Sequence, residues 1–366
     1  MSTRVLVVDD TALFRSAISE ALTEVPGVEV AGTAANGKLA LARIAALQPD
    51  LVTLDIEMPE MDGIQVLQAM KAAGLEPGVI MLSSHTVRGG EMTLRALELG
   101  AFDFLTKPEG GSPEKNLALL RERLAPMVQA FTRRREIRNI LRSGATGVTA
   151  ATLPRAAPAT TPERQARSPR RSGPPLVLIG VSTGGPAALA GLLPALPPDL
   201  GAPVFIVQHM PALFTQPLAA SLAKKSAIRV KEAEDGEGGL ANCAYLAPGG
   251  RQMKLIPGAG GEIVIRITDD PGENNCKPAA DYLFRSAALH FPGRSIAVIL
   301  TGMGNDGTAG LRMLKGGGCL AMAQDEASCV VFGMPKEAIQ TGVVDRVVPL
   351  DTMAAAIVRA VREGAA

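Results

Sequence analysis

Short apolar runs alternate with longer amphipathic stretches along most of the chain, and the alternation is interrupted once. In the first third, Arg4–Val8, Val28–Thr33, Leu51–Leu54, Val79–Leu82 and Phe102–Leu105 read as strands. Helical stretches lie between them at Leu13–Glu24, Lys38–Leu47 and Gln65–Ala73. Five strands alternating with helices predict a doubly wound parallel sheet of the flavodoxin-like kind. After the interruption, Leu176–Gly180, Val204–Val207, Ala244–Ala247, Ile263–Ile267, Ser295–Leu300 and Cys319–Ala323 repeat the theme and predict a second, larger α/β domain. The interruption itself, Leu153–Pro175, is rich in Pro, Arg, Ala, Ser and Thr and reads as a flexible linker, preceded by a helical Pro126–Arg142. The expected division is therefore residues 1–125, a helical extension and linker over 126–175, and 176–366.

Composition changes this picture little. Tryptophan is absent and aromatics are 3%, so the cores must be built from Leu, Val, Ile, Ala and Met. No apolar run of about 18 residues and no leader pattern is present, which predicts a cytoplasmic protein without membrane insertion. The four cysteines are scattered with no C-x-x-C pair, so their spacing argues against a zinc site or a disulfide framework. Positive charge is concentrated: residues 131–175 hold 10 Arg against 2 Glu. That stretch lacks aromatics and any recognition motif, so it predicts a solvated linker near an acidic partner or the acidic first domain, not a nucleic-acid site.

The chemistry lies where strands end. In the first segment Val5–Val8 runs into Asp9 and Asp10, Leu51–Leu54 into Asp55, Val79–Leu82 into Ser83, and Phe104–Thr106 into Lys107. Ligands of open parallel sheets gather at the carboxyl ends of strands. Clustered carboxylates suit Mg²⁺. Asp55 could accept a phosphoryl group, with Ser83 and Lys107 binding its oxygens. In the second segment the strand from Leu176 enters Gly180-Val181-Ser182-Thr183-Gly184, a G-x-S-x-G turn before a helix, the context that exposes a nucleophilic serine. The Thr183 amide could stabilise an oxyanion. Among three histidines, His209 follows a strand and is the candidate base; His85 lies in the first segment and His290 in a helical stretch. Asp306, in the Gly-rich loop after Ser295–Leu300, is the candidate third partner, with Asp269 and Asp270 as competitors. The chain order Ser, His, Asp differs from the Ser, Asp, His order of the α/β-hydrolase fold.

The first segment, through VLVVDDTALFR, LDIEMPEMDG, MLSS and FLTKP, resembles a response-regulator receiver, with Thr11 where Ser is commoner. The whole chain, through IGVSTGGP, QHMP, AEDGE, YLAPGG, LFRSAA, TGMGNDG and AQDEASCVVFGMP, resembles the chemotaxis protein-glutamate methylesterases, the CheB family. The resemblance implies Ser182, His209 and Asp306 as a triad and oxyanion donors near Thr183 and Met303. It implies Asp55 as phosphoacceptor, Mg²⁺ on Asp9, Asp10 and Asp55, switch roles for Ser83 and Lys107, and no cofactor in the esterase domain. It implies methylated chemoreceptors as substrate, a histidine kinase as phosphodonor, glutaminase activity besides esterase activity, and a receiver that restrains the esterase. Gln252 and Cys276 stand where the family often carries histidine. The alternative is a receiver joined to a binding module that works without turnover.

Overall fold

The computed structural model describes residues 2–108, 110–144 and 173–363. The stretch read as a linker lies, up to Ser172, outside the described residues. The first domain runs β1 (Thr3–Val8), α1 (Ala12–Thr23), β2 (Val28–Ala34), α2 (Gly37–Leu47), β3 (Leu51–Asp55), α3 (Gly63–Ala72), β4 (Gly78–Ser83), α4 (Val87–Glu98), β5 (Asp103–Thr106) and α5 (Pro113–Gly144). Its sheet is wholly parallel in the order β2-β1-β3-β4-β5. Val5–Val8 are fully buried, as expected of a strand covered by helices on both faces. The helices begin at caps legible in the chain. Asn36 accepts from Leu39 N–H at 2.9 Å, and Asp62 with Gln65 forms a capping box. The helix read as starting at Pro126 starts at Pro113, with Pro126 inside it.

The second domain comprises β6 (Leu176–Val181), α6 (Gly185–Leu192), β7 (Val204–Gln208), α7 (Ala212–Ala223), β8 (Arg229–Glu232), β9 (Cys243–Leu246), β10 (Gln252–Pro257), β11 (Ile263–Thr268), α8 (Ala280–His290), β12 (Ser295–Ile299), α9 (Thr308–Gly316), β13 (Leu320–Gln324), α10 (Met334–Gln340), β14 (Arg346–Val348) and α11 (Leu350–Arg362). Seven parallel strands run in the order β14-β13-β12-β6-β7-β9-β8. The strand at Ile263–Thr268 stands apart from them: it pairs antiparallel with β10 in a separate hairpin. The winding direction switches between β1 and β3 in the first sheet and between β6 and β12 in the second, and a doubly wound sheet opens a crevice there.

The apolar core does not stop at the domain boundary. One contiguous cluster includes Leu94 and Leu97 of α4 together with Phe214 and Leu218 of α7. Another joins Leu124 and Val128 of α5 to Met303, Val330 and Val331. The Phe104 and Phe214 rings are 4.8 Å apart. At the rim, Glu98 accepts from Lys225 at 2.6 Å and Ser221 at 2.5 Å. That ion pair is half exposed and contributes ~0–1 kcal/mol, so the apolar contacts hold the domains together.

Candidate active site

Ser182 directly follows β6, half-buried, at the point between β6 and β12 where the second sheet switches its winding direction. Its N–H donates to Thr301 C=O at 3.0 Å, and Gly185 N–H donates to Ser182 C=O at 2.8 Å. These bonds fix a sharp strand-to-helix turn in which Gly184 has φ +76°, a conformation costly for other residues. Among the described residues, the Thr183 and Met303 amides donate none of these backbone bonds. Gly302 lies directly behind the serine: a Cβ there would sit 2.8 Å from Ser182 Cβ and 2.4 Å from Met334 Sδ. Gly302→Ala is therefore expected to displace the turn and lower kcat by about 100-fold while leaving the fold intact. Steady-state kinetics beside circular dichroism checks this.

His209 follows β7, the neighbouring strand, and its N–H donates to Val181 C=O at 3.1 Å. Its ring Nε2 is 2.7 Å from Asp306 Oδ2. Asp306 is buried and held at the start of α8, where its carboxylate accepts from the amides of Ala280 (2.6 Å) and Asp281 (3.0 Å) and from Asn274 Nδ2 (3.0 Å). Burial would raise its pKa; the His209 bond and these donors outweigh that and hold it below the usual carboxylate range. Burial likewise would lower His209. Its bonds to Asp306 and Cys276 prevail, and the imidazole is pushed up to about 9. The other ring nitrogen, Nδ1, faces Cys276 Sγ at 3.5 Å. Among the described residues no hydrogen bond joins Ser182 Oγ to this ring.

The competitors of Asp306 lie elsewhere. Asp269 pairs with Arg251 at 2.6 Å, and Asp270 takes the Tyr282 hydroxyl, both on the hairpin side. His290 and His85 are exposed. Gln252 is fully buried, bonded to Ala279 N–H (2.9 Å) and Pro271 C=O (3.0 Å), so it braces the loop before α8. Asn274 and Asp281 went unnoticed in the sequence. Asn274 bridges Asp306 and Asp281, a link between residues distant in the chain that no local spacing announces.

In the first domain the strand ends of β1, β3 and β5 bring Asp9, Asp55 and Lys107 together. Lys107 Nζ is 2.8 Å from Asp9 Oδ2 and 2.7 Å from Asp55 Oδ2. Burial pushes Asp55 up to about 6 against the opposing effect of Lys107. Burial would lower Lys107, but the two carboxylates raise it. Asp9, Asp10 and Asp55 offer oxygens within 4.8 Å of one another. The buried Oδ2 atoms of Asp9 and Asp55 are both paired with the Lys107 ammonium, and a carboxylate cluster of this kind suits a hard cation. Ser83 is turned away: its hydroxyl donates toward Gly89 C=O at 3.3 Å and accepts from Thr93 at 2.8 Å, both in α4.

The first domain packs beside the Ser182 turn. Buried Asp103 on β5 accepts a hydrogen bond from Thr183, the residue after the serine. A cavity of about 670 Å³ remains between Arg133 and Arg134 of α5 and the loops at Met303 and Val330.

These two domains define a class: a receiver coupled to an α/β hydrolytic domain. Residues 5–117 match the response regulator receiver domain and residues 177–357 match the CheB methylesterase. The chain is 50% identical over 364 residues to the protein-glutamate methylesterase/protein-glutamine glutaminase of Desulfotalea psychrophila, covering 98% of each. It is 44% identical to the one from Bacillus subtilis, covering 98% of this chain and 99% of that one. The catalytic domain of Thermotoga maritima CheB methylesterase, 40% identical, superposes with a TM-score of 0.50, covering 51% of this chain and 99% of that one. The chain belongs to the protein-glutamate methylesterase/protein-glutamine glutaminase family.

Proposed function

We propose that this chain hydrolyses glutamate methyl esters on chemoreceptors to glutamate and methanol, and deamidates receptor glutamines, under control of phosphorylation at Asp55. The observation that carries the reading is the His209–Asp306 pair at 2.7 Å beside the G-x-S-x-G turn, at the switch point of a parallel sheet. Ser182 Oγ attacks the side-chain carbonyl, with the Thr183 and Met303 amides receiving the oxyanion. The ring nitrogen free of Asp306 is Nδ1, so Nδ1 takes the serine proton and passes it to the leaving methoxide or ammonia. Water then cleaves the acyl-enzyme with the same nitrogen as base. With its pKa near 9 in the closed arrangement, His209 is mostly protonated at neutral pH and a poor base.

In the receiver, Asp9, Asp10 and Asp55 would hold Mg²⁺, which supplies charge neutralisation for phosphoryl oxygens. A chemotaxis histidine kinase is the phosphodonor. Phosphorylation gives Ser83 a new acceptor, drawing its hydroxyl from Gly89 and Thr93 and loosening α4 against α7. Asp103 then leaves Thr183. The division into receiver (1–125), extension and linker (126–175) and catalytic domain (176–366) follows this division of labour. No helix among the described residues is long and apolar enough to cross a membrane, and we place the protein in the cytoplasm, acting on the cytoplasmic part of its receptors.

Methanol release from methylated receptor tests the reading. The catalytic piece 173–366 is expected to work about 5- to 150-fold faster than the unphosphorylated full chain, the range of ordinary coupling energies. Equal or slower turnover by the piece overturns the inhibitory role of the receiver; no methanol from either overturns the esterase. Binding of receptor without methanol would favour the binding-module alternative.

A further inference from the structure

We propose that Cys276 and His209 form a binding site for a thiophilic divalent cation such as Zn²⁺, and that its occupancy switches the esterase off. The inference rests on the esterase reading for its consequence, though not for the site itself. Cys276 Sγ is 3.5 Å from His209 Nδ1. Zinc holds sulfur at about 2.3 Å and imidazole nitrogen at about 2.05 Å, and at the tetrahedral angle those two ligands lie about 3.5 Å apart. The two atoms are therefore already spaced for one ion. The far side of the ring is arranged to match. Asp306 sits 2.7 Å from Nε2 and is itself fixed by the α8 amides. A carboxylate on the second nitrogen of a metal-binding imidazole sets the tautomer that leaves the Nδ1 lone pair outward.

Cys276 is equally well held. Its backbone N–H donates to Glu273 C=O at 2.8 Å, and Glu273 N–H returns the bond to Cys276 C=O at 3.0 Å. The turn between them places Asn274 and Asn275 at φ +52° and +58°. Asn274 C=O lies 3.3 Å from Sγ and is the nearest further oxygen. Cys276 is half-exposed, whereas the other three cysteines are buried, so it alone among the cysteines is open to an ion from solvent. The expectation from cysteine spacing was that the chain has no zinc site; the two ligands here are 67 residues apart, a separation to which spacing rules are blind. On binding, the thiol proton and the Nδ1 proton of the imidazolium both go to solvent, and the thiolate and the freed Nδ1 lone pair each form a bond to the cation. The lone pair that would take the Ser182 proton is then occupied.

The test uses the full chain in excess Mg²⁺, to fill the receiver carboxylates, with a non-thiol reductant. Zn²⁺ is expected to abolish methanol release, with recovery on adding a chelator. Each protein's inhibition is read relative to its own metal-free rate, and Cys276→Ala is expected to require more than about 100-fold more Zn²⁺ for the same fractional inhibition, since losing a ligand costs at least what losing an outer-shell partner does. Co²⁺, used as a spectroscopic probe, should show a thiolate-to-cobalt charge-transfer band with the unaltered chain and none with Cys276→Ala. Equal Zn²⁺ sensitivity of the two proteins, or a band that survives the substitution, overturns the site. A chain that shows the Cys276-dependent band but hydrolyses no ester would overturn the esterase reading and leave the metal site standing.

Discussion

Methanol release by the Ser182→Ala protein is expected to fall by about 10⁴- to 10⁶-fold in kcat, because the step that divides ester hydrolysis into two easier reactions disappears with the hydroxyl. What survives is the contribution of binding and of the Thr183 and Met303 amides, so a small excess over uncatalysed hydrolysis should persist. The substitution removes one oxygen from a half-buried position whose backbone bonds to Thr301 and Gly185 stay in place, and thermal stability should hardly change. A Ser182→Ala protein that retains ordinary turnover would exclude the serine as nucleophile and direct attention to Cys276, the other nucleophile beside His209.

The second large effect is expected at Asp306. Asp306→Asn keeps shape and volume, yet the amides of Ala280 and Asp281 demand an oxygen from it. Two donors, the Asp281 amide and Asn274 Nδ2, hold the carbonyl at the Oδ1 position, so the NH₂ takes the Oδ2 position and faces the Ala280 amide as well as His209 Nε2. That nitrogen then becomes an acceptor, the ring proton moves to Nδ1, and the base loses the lone pair meant for Ser182. A fall of about 10⁴-fold in kcat follows from this wrong tautomer. The accompanying readout is the imidazole pKa by nuclear magnetic resonance, which should drop from its value near 9 once the carboxylate is gone. An unchanged imidazole pKa would show that Asp306 does not set the state of the ring.

Much of this was legible in the chain. Strands buried on both faces appear as unbroken apolar runs such as Val5–Val8 and Leu176–Ile179, and a polar residue straight after such a run lies at the carboxyl end of the sheet. That argument picks out Asp9, Asp55, Lys107 and His209; Ser182 also needed the G-x-S-x-G turn, and for Asp306 the argument left Asp269 and Asp270 as competitors. The missed strands share a physical reason. Arg229–Glu232 and Arg346–Val348 are short sheet edges carrying charge, and Gln252–Pro257 belongs to a hairpin outside the main sheet. Their stability comes from neighbours, not from their own pattern. The same holds for Asn274, Asp281 and the placement of Cys276 against His209, which arise where a loop returns from the hairpin to α8. The direction of the Ser83 hydroxyl was also beyond the sequence, because it depends on which of two partners is present.

The continuity of the apolar core across the two domains carries a cost of its own. Opening the crevice sets Leu94, Leu97 and Phe104 on one surface and Phe214 and Leu218 on the other, all of them shielded while the receiver is docked. On the proposed gating, the active form is also the adhesive form, prone to self-association when it accumulates. Solubility therefore favours a signal that is brief, and a protein that spends most of its life closed.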